Sequence, residues 1–125
     1  MTPFGAKLRQ LRQARGVEQK AMAAALGVSA SYLSALEHGR RGKPTWAMIQ
    51  KIIGYFNVIW DEAEDLQRLA EISDPRVVVD TVNLAPEATA LANRLAERIR
   101  HLSPEQIAAM QAVIDQPAKA ASKQE

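Results

Sequence analysis

Residues 19–37 read QKAMAAALGVSASYLSALE, two runs of helical apolar period broken only by Gly27, Val28 and Ser29. Met22, Ala23 and Leu26 recur at the spacing that keeps side chains on one face of a helix. Gly27 then supplies the left-handed backbone that ends a helix, and Ser29 is a good N-cap for the next one. In that next helix Leu33 and Leu36 face inward until Gly39 terminates it. The pattern predicts helices over 18–26 and 30–38, three residues apart.

Upstream, Thr2 caps a helix with Pro3 at its first position, and Phe4, Leu8 and Leu11 share a face until Gly16 stops it, giving a helix over 3–15. Downstream, the Gly-rich basic loop GRRGKP precedes Thr45, which caps a fourth helix with Trp46, Ile49, Ile52, Ile53 and Phe56 on a broad apolar face. A fifth helix from about Ile59 to Ile72 uses Trp60, Ala63, Leu66 and Leu69 or Ala70. Both tryptophans occupy apolar helical positions, so core packing is expected of them. These five helices form a first domain, residues 1–72.

Ser73, Asp74 and Pro75 break the helical period, and RVVVDTVN is the segment of strongest β bias. A lone strand cannot satisfy its own backbone, so this segment is expected either to pair with the same segment of a second copy or to serve as an extended linker. Pro86 opens a helix to about Leu102 with Ala88, Leu91, Leu95, Ile99 and Leu102 inward. Ser103, Pro104 and Gln106 form a capping box for a last helix carrying Ile107, Met110, Val113 and Ile114. Residues 73–116 therefore read as a dimerisation element, an extended strand plus a helical hairpin, and 117–125 as a disordered tail. The expected fold class is all-α with that one short β-segment.

The chain of 125 residues has no cysteine and two histidines, which excludes disulfides and thiolate metal sites. No apolar run approaches the roughly 20 residues of a membrane span, and the N-terminus lacks a signal-peptide core, so no membrane contact and a cytoplasmic location are expected. The net charge of +2 hides an asymmetry. Residues 1–57 carry Lys7, Arg9, Arg12, Arg15, Lys20, Arg40, Arg41, Lys43 and Lys51 against Glu18 and Glu37, whereas acidic side chains outnumber basic ones in the rest. A basic half joined to an acidic half is the footprint of a polyanion-binding module with an appendage.

The ordered set LRQLRQARG, Gln19, MAAALGVS, SYLSALEHG, a basic loop to Pro44 and a helix ending KIIGYFNV resembles the lambda repressor and Cro family, the Xre-like helix-turn-helix regulators. The resemblance covers about residues 4–66. It implies a five-helix DNA-binding domain with helix 30–38 in the major groove of double-stranded DNA. It further implies that Ala30, Ser31 and Ala35 face base edges, that Tyr32 and Ser34 lie near the backbone, and that Gln19 bonds a phosphate and steadies the recognition helix. An ion pair between Arg12 and Glu37 is implied as well. Arg40, Arg41 and Lys43 can neutralise phosphates, or one Arg can reach a guanine.

The sequence departs from the family pattern in two ways. Glu18 stands where a Ser or Thr cap is usual, favourable to the helix dipole but a poorer cap. Ala30 and Ala35 can touch thymine methyls but form no bidentate hydrogen bonds, which shifts recognition toward DNA shape and the arginine loop.

The other chemistries weigh less. Asp61, Glu62, Glu64 and Asp65 lack the glycine and spacing of a calcium loop and read as a solvated helix face. His38 reads as a helix-end residue favoured by the dipole or a phosphate contact, and His101 as a helix-end residue. No Ser-His-Asp order, phosphate loop or nucleophile elbow is present, so neither an enzyme nor a cofactor is expected. The expected function is a sequence-specific regulator, a repressor, that binds a palindromic operator as a homodimer through residues 73–115, its recognition helices about 34 Å apart. The alternative is an antitoxin-type autoregulator whose C-terminal half binds a protein partner. A pure protein-interaction module without DNA affinity is the rival from another class.

Overall fold

A computed structural model describes residues 1–117; the tail expected to be disordered lies, from residue 118 onward, outside the described residues. The helices are α1 (Pro3–Ala14), α2 (Gln19–Leu26), α3 (Ala30–His38), α4 (Trp46–Phe56), α5 (Trp60–Glu71), α6 (Pro86–Arg98) and α7 (Pro104–Ile114), with a 3₁₀ turn at Ile99–His101. The chain divides into two compact units, Met1–Val78 and Val79–Glu125.

In the first unit the helices start and stop where the sequence places their caps. Thr2 Oγ1 accepts from the Gly5 N–H at 3.0 Å, Ser29 Oγ from Tyr32 at 3.0 Å and Thr45 Oγ1 from Met48 at 3.2 Å. Glu18 is the weak cap expected, since its side chain accepts no capping bond. The turn between α2 and α3 is closed by Gly27 at φ 77° and by the Val28 N–H donating to Ala23 O at 3.0 Å. So short a turn keeps the two helices in direct contact. Phe4, Leu8, Met22, Leu33, Leu36, Ile52, Phe56 and Leu66 then meet in one core.

Two features tie α1 into this core. Gly5 lies where any Cβ would collide with the backbone carbonyl of Glu37, so α1 crosses the end of α3 at a distance only glycine permits. At the other side, the Ser73 hydroxyl accepts from the Phe4 N–H at 2.9 Å and donates to Leu69 O. Ser73 is buried and satisfies one of the free donors that every helix start leaves open.

The short β-segment expected at RVVVDTVN does not form, and no strand occurs among the described residues. Valines favour extended backbone, but a strand needs a ladder, and here side chains and a local turn hold the ends of the segment instead. Asp74 Oδ1 accepts from the Arg76 N–H at 3.0 Å and Asp80 Oδ1 from the Val82 N–H at 2.9 Å. The Leu84 N–H closes a turn onto Thr81 O, with Asn83 at φ 69°. Val77, Val78 and Val79 are all exposed.

Core packing of the tryptophans is also corrected, because Trp46 is 72% and Trp60 80% exposed. Each is the first residue of its helix, where the inward stripe has not yet met a neighbour. Trp60 in addition has φ 54°, which directs the chain away from the stripe formed by Leu66 and Ala70. Val58, between the two helices, takes a core place instead.

In the second unit the capping box at Ser103 and Gln106 forms as read, with both reciprocal bonds present. None of the described side chains of α6 or α7 is fully buried. Leu91, Arg94, Leu95, Arg98, Leu102 and Met110 line an open groove of about 310 Å³.

The Gly5 contact makes a sharp expectation. Gly5→Ala forces α1 off α3 and should cost about 1–3 kcal/mol, read as a lower urea midpoint. A midpoint equal to wild type would mean the close approach is absent in solution.

Candidate nucleic-acid interface

The inward face of α3 is Leu33, Leu36 and Glu37, all buried. Glu37 is the unusual member, a carboxylate only 1% exposed. A buried charge is tolerable only when paired and hydrogen-bonded, and this one is held by two other helices. Arg12 of α1 donates from Nε to Oε2 at 3.0 Å and from Nη2 to Oε1 at 3.2 Å. Gln19, the first residue of α2, donates from Nε2 to Oε1 at 3.1 Å. Arg12 Nη1 also donates to Val17 O at 3.3 Å, which fixes the α1–α2 loop. The Arg12–Glu37 ion pair is present as the resemblance implied. It locks the roll of α3 about its own axis.

That lock decides which residues look outward. Ala30 and Ser31 are exposed in the first turn of α3, while Tyr32, Ser34 and Ala35 are half-buried along its flanks. The outward surface is therefore small and nearly flat, with one short hydroxyl at Ser31. Gln19 is half-buried with its amide against Glu37, so its steadying of α3 is visible; the expected phosphate bond would have to use the second amide hydrogen, which Glu37 leaves free. His38 Nδ1 lies 2.9 Å from Ser34 O and donates to it, closing on its own helix.

Beyond α3, Gly39 at φ 80° ends the helix, and its bare Cα fits against the Thr2 methyl at the start of α1. The Arg40 N–H donates to Ala35 O at 2.9 Å, which pins the first loop residue to the helix end. Arg40, Arg41 and Lys43 are all exposed, so the loop carries three solvent-facing cations beside the outward face of α3. The Arg41 guanidinium carbon lies 5.2 Å from the centroid of the Tyr32 ring. Lys43 also borders a shallow groove with Pro44, Trp46 and Ile49. The nine expected site residues thus fall into two groups. Ala30, Ser31, Tyr32, Ser34, Ala35, Arg40, Arg41 and Lys43 share one side of α3 and its following loop, whereas Gln19 faces the Glu37 anchor.

Two contributions escaped the sequence reading, the Gln19–Glu37 bond and the Arg41–Tyr32 stack. The first had a signal, since a buried bidentate carboxylate facing one Arg still needs a further donor. The second had none, because residues 32 and 41 are related only through the loop path.

Elsewhere the acidic face is engaged in ion pairs, Lys7 with Glu62 at 3.6 Å and Arg68 with Asp65 at 3.0 Å. Among the described residues no three His, Asp or Glu side chains are grouped to hold a metal ion.

Removing Arg12 leaves Glu37 buried without its main partner, so Arg12→Ala should lower stability by about 3–5 kcal/mol. Arg68→Ala, at an exposed pair, should change it by no more than about 1 kcal/mol. Equal shifts in chemical denaturation would show that the Glu37 anchor carries no special weight.

Comparison with known proteins agrees with this geometry. Over 61 residues the chain is 38% identical to RghRB, an uncharacterized HTH-type transcriptional regulator of Bacillus subtilis strain 168, a match that covers 49% of this chain and 44% of that protein. The chain thus matches less than half the length of that relative. Residues 3–66, which contain α1 to α4 and the first half of α5, match the model of a helix-turn-helix domain. With half of its length inside that match, the chain belongs to the helix-turn-helix family, of the Xre-like type.

Proposed function

We propose that the protein is a sequence-specific double-stranded DNA-binding transcriptional regulator. The observation that carries this reading is the joint placement of a small, outward α3 face and three exposed cations in the loop that follows it. A flat helix surface can lie deep in a major groove, and the flanking cations neutralise the phosphates on its rim. The relative's printed name, a transcriptional regulator, supports the same reading.

The reading extends to a repressor that acts as a homodimer on a palindromic operator. Repression needs only occupancy of the operator, which the first unit's α3 and loop would supply. Dimerisation is assigned to the α6–α7 hairpin, not to strand pairing. A hairpin of some 30 residues cannot enclose a core alone, and Leu91, Ile99, Val113 and Ile114 are between 52% and 76% exposed. The same exposed face supports the second reading, an antitoxin-type autoregulator whose hairpin covers itself with a different polypeptide.

Two measurements test these assignments. Affinity for mixed-sequence duplex should fall steeply with salt, and Arg40→Ala or Lys43→Ala should each reduce the log–log salt slope by about one. A slope indifferent to both would remove the loop from the interface. In sedimentation the full chain should run as a dimer at micromolar concentration and Leu91→Glu as a monomer with weakened binding to a two-half-site duplex. A wild-type monomer that co-purifies in fixed ratio with a second polypeptide would favour the autoregulator instead.

A further inference from the structure

The outward face of α3 lacks a side chain able to identify a base by paired hydrogen bonds. Ala30 and Ala35 end in methyl groups and Ser31 in a single hydroxyl. Yet the structure brings a guanidinium to this face from outside the helix. Arg41 leaves the backbone two residues past Gly39, and its guanidinium carbon lies 5.2 Å from the centroid of the Tyr32 ring. Tyr32 is the third residue of α3, its N–H held by the Ser29 cap and its half-buried ring packed on the core. From Tyr32 to the end of α3 is six residues, roughly 9 Å at the helical rise, so the Arg41 side chain runs back along the helix to the first turn. The loop allows this reversal because Gly39 and Gly42, on either side of the two arginines, have φ 80° and 79°.

This contact restrains the guanidinium without using up its chemistry. A cation–π interaction acts through the charge and consumes none of the N–H donors. The Tyr32 ring is itself immobilised by the core, so the fork is held at a defined height. That height is the first turn of α3, the part of a recognition helix that meets base edges. A planar fork of donors there matches the N7 and O6 acceptors of guanine, the commonest specific pairing in the major groove. Arg40, anchored at Ala35 O by its backbone, and Lys43 have no such ring beneath their charges and remain suited to phosphates.

Resting on the DNA-binding reading above, we infer that Tyr32 is a positioning residue for Arg41 and that the Arg41 guanidinium, so held, reads one guanine in each half-site. The base-reading group of this protein would then come from the loop, with α3 as the platform.

The test is selection of bound duplexes from a random pool by the full-length wild type and by Arg41→Lys, Tyr32→Phe and Tyr32→Leu, with salt dependence measured on the selected site. Circular dichroism confirms that each variant is folded. Wild type should enrich one invariant guanine per half-site. Arg41→Lys should lose at least about fivefold of that preference, with the preference elsewhere unchanged, because a point charge cannot supply the planar fork. Tyr32→Leu should lose the same guanine with the preference elsewhere unchanged and Tyr32→Phe should keep it, whereas a merely structural role for the ring would make Tyr32→Leu weaken the preference at every position. If Arg41→Lys retains the guanine, Arg41 is a phosphate contact and the inference fails while DNA binding stands. If Tyr32→Leu retains it while Arg41→Lys does not, the positioning role fails. If wild type retains no duplex at low salt, the DNA-binding reading itself falls and this inference with it.

Discussion

The first unit depends on one buried carboxylate. Glu37 is shut away from solvent at the end of α3 and is tolerable there only because Arg12 from α1 and Gln19 from α2 both donate to it. Three helices are thereby tied at a single point, and the Gly5 approach brings α1 against the backbone of the same residue. Apolar contacts alone would leave α3 free to roll by part of a turn, since leucine packing is weakly directional. A bidentate ion pair is directional. It sets which side of α3 is presented to solvent, and so which residues a ligand can meet.

Given that orientation, the exposed face of α3 is poor in hydrogen-bonding groups, and the loop after it is rich in them. The two facts are complementary. Small residues let the helix sit close to a surface, while Arg40, Arg41 and Lys43 extend beyond it on flexible stems. The stack of Arg41 on Tyr32 limits that flexibility for one of the three. A cation held at rest loses less conformational freedom on binding than one drawn from solution. The loop is therefore not uniform in the freedom of its cations.

The second unit follows a different logic. Its helices are well capped and locally consistent, with a complete capping box at Ser103, yet their apolar residues remain in solvent. Local hydrogen bonds define the hairpin; they do not give it a core. Association with a second chain, as proposed above, would give those exposed apolar residues the cover they lack.

Much of the first unit was legible in the residues. Gly27, Ser29, Gly39 and Thr45 mark helix ends because backbone conformation and capping are local, and the helices over 18–26 and 30–38 differ from the structure by one residue at most. The Arg12–Glu37 pair was legible through family resemblance. The valine run was not, because β propensity is a preference that a partner strand must complete, and Asp74 and Asp80 bind the Arg76 and Val82 amides at its two ends. Nor were the tryptophans, since a helical period fixes the face of a residue but not whether another helix reaches it. The sequence by itself determined where the helices begin and end and that one half is basic, because these follow from neighbouring residues and from counting charge. Only the tertiary structure decided that Gln19 turns to Glu37 and that Arg41 lies over Tyr32. Those contacts join residues far apart along the chain, and the path between them exists only once the helices have packed.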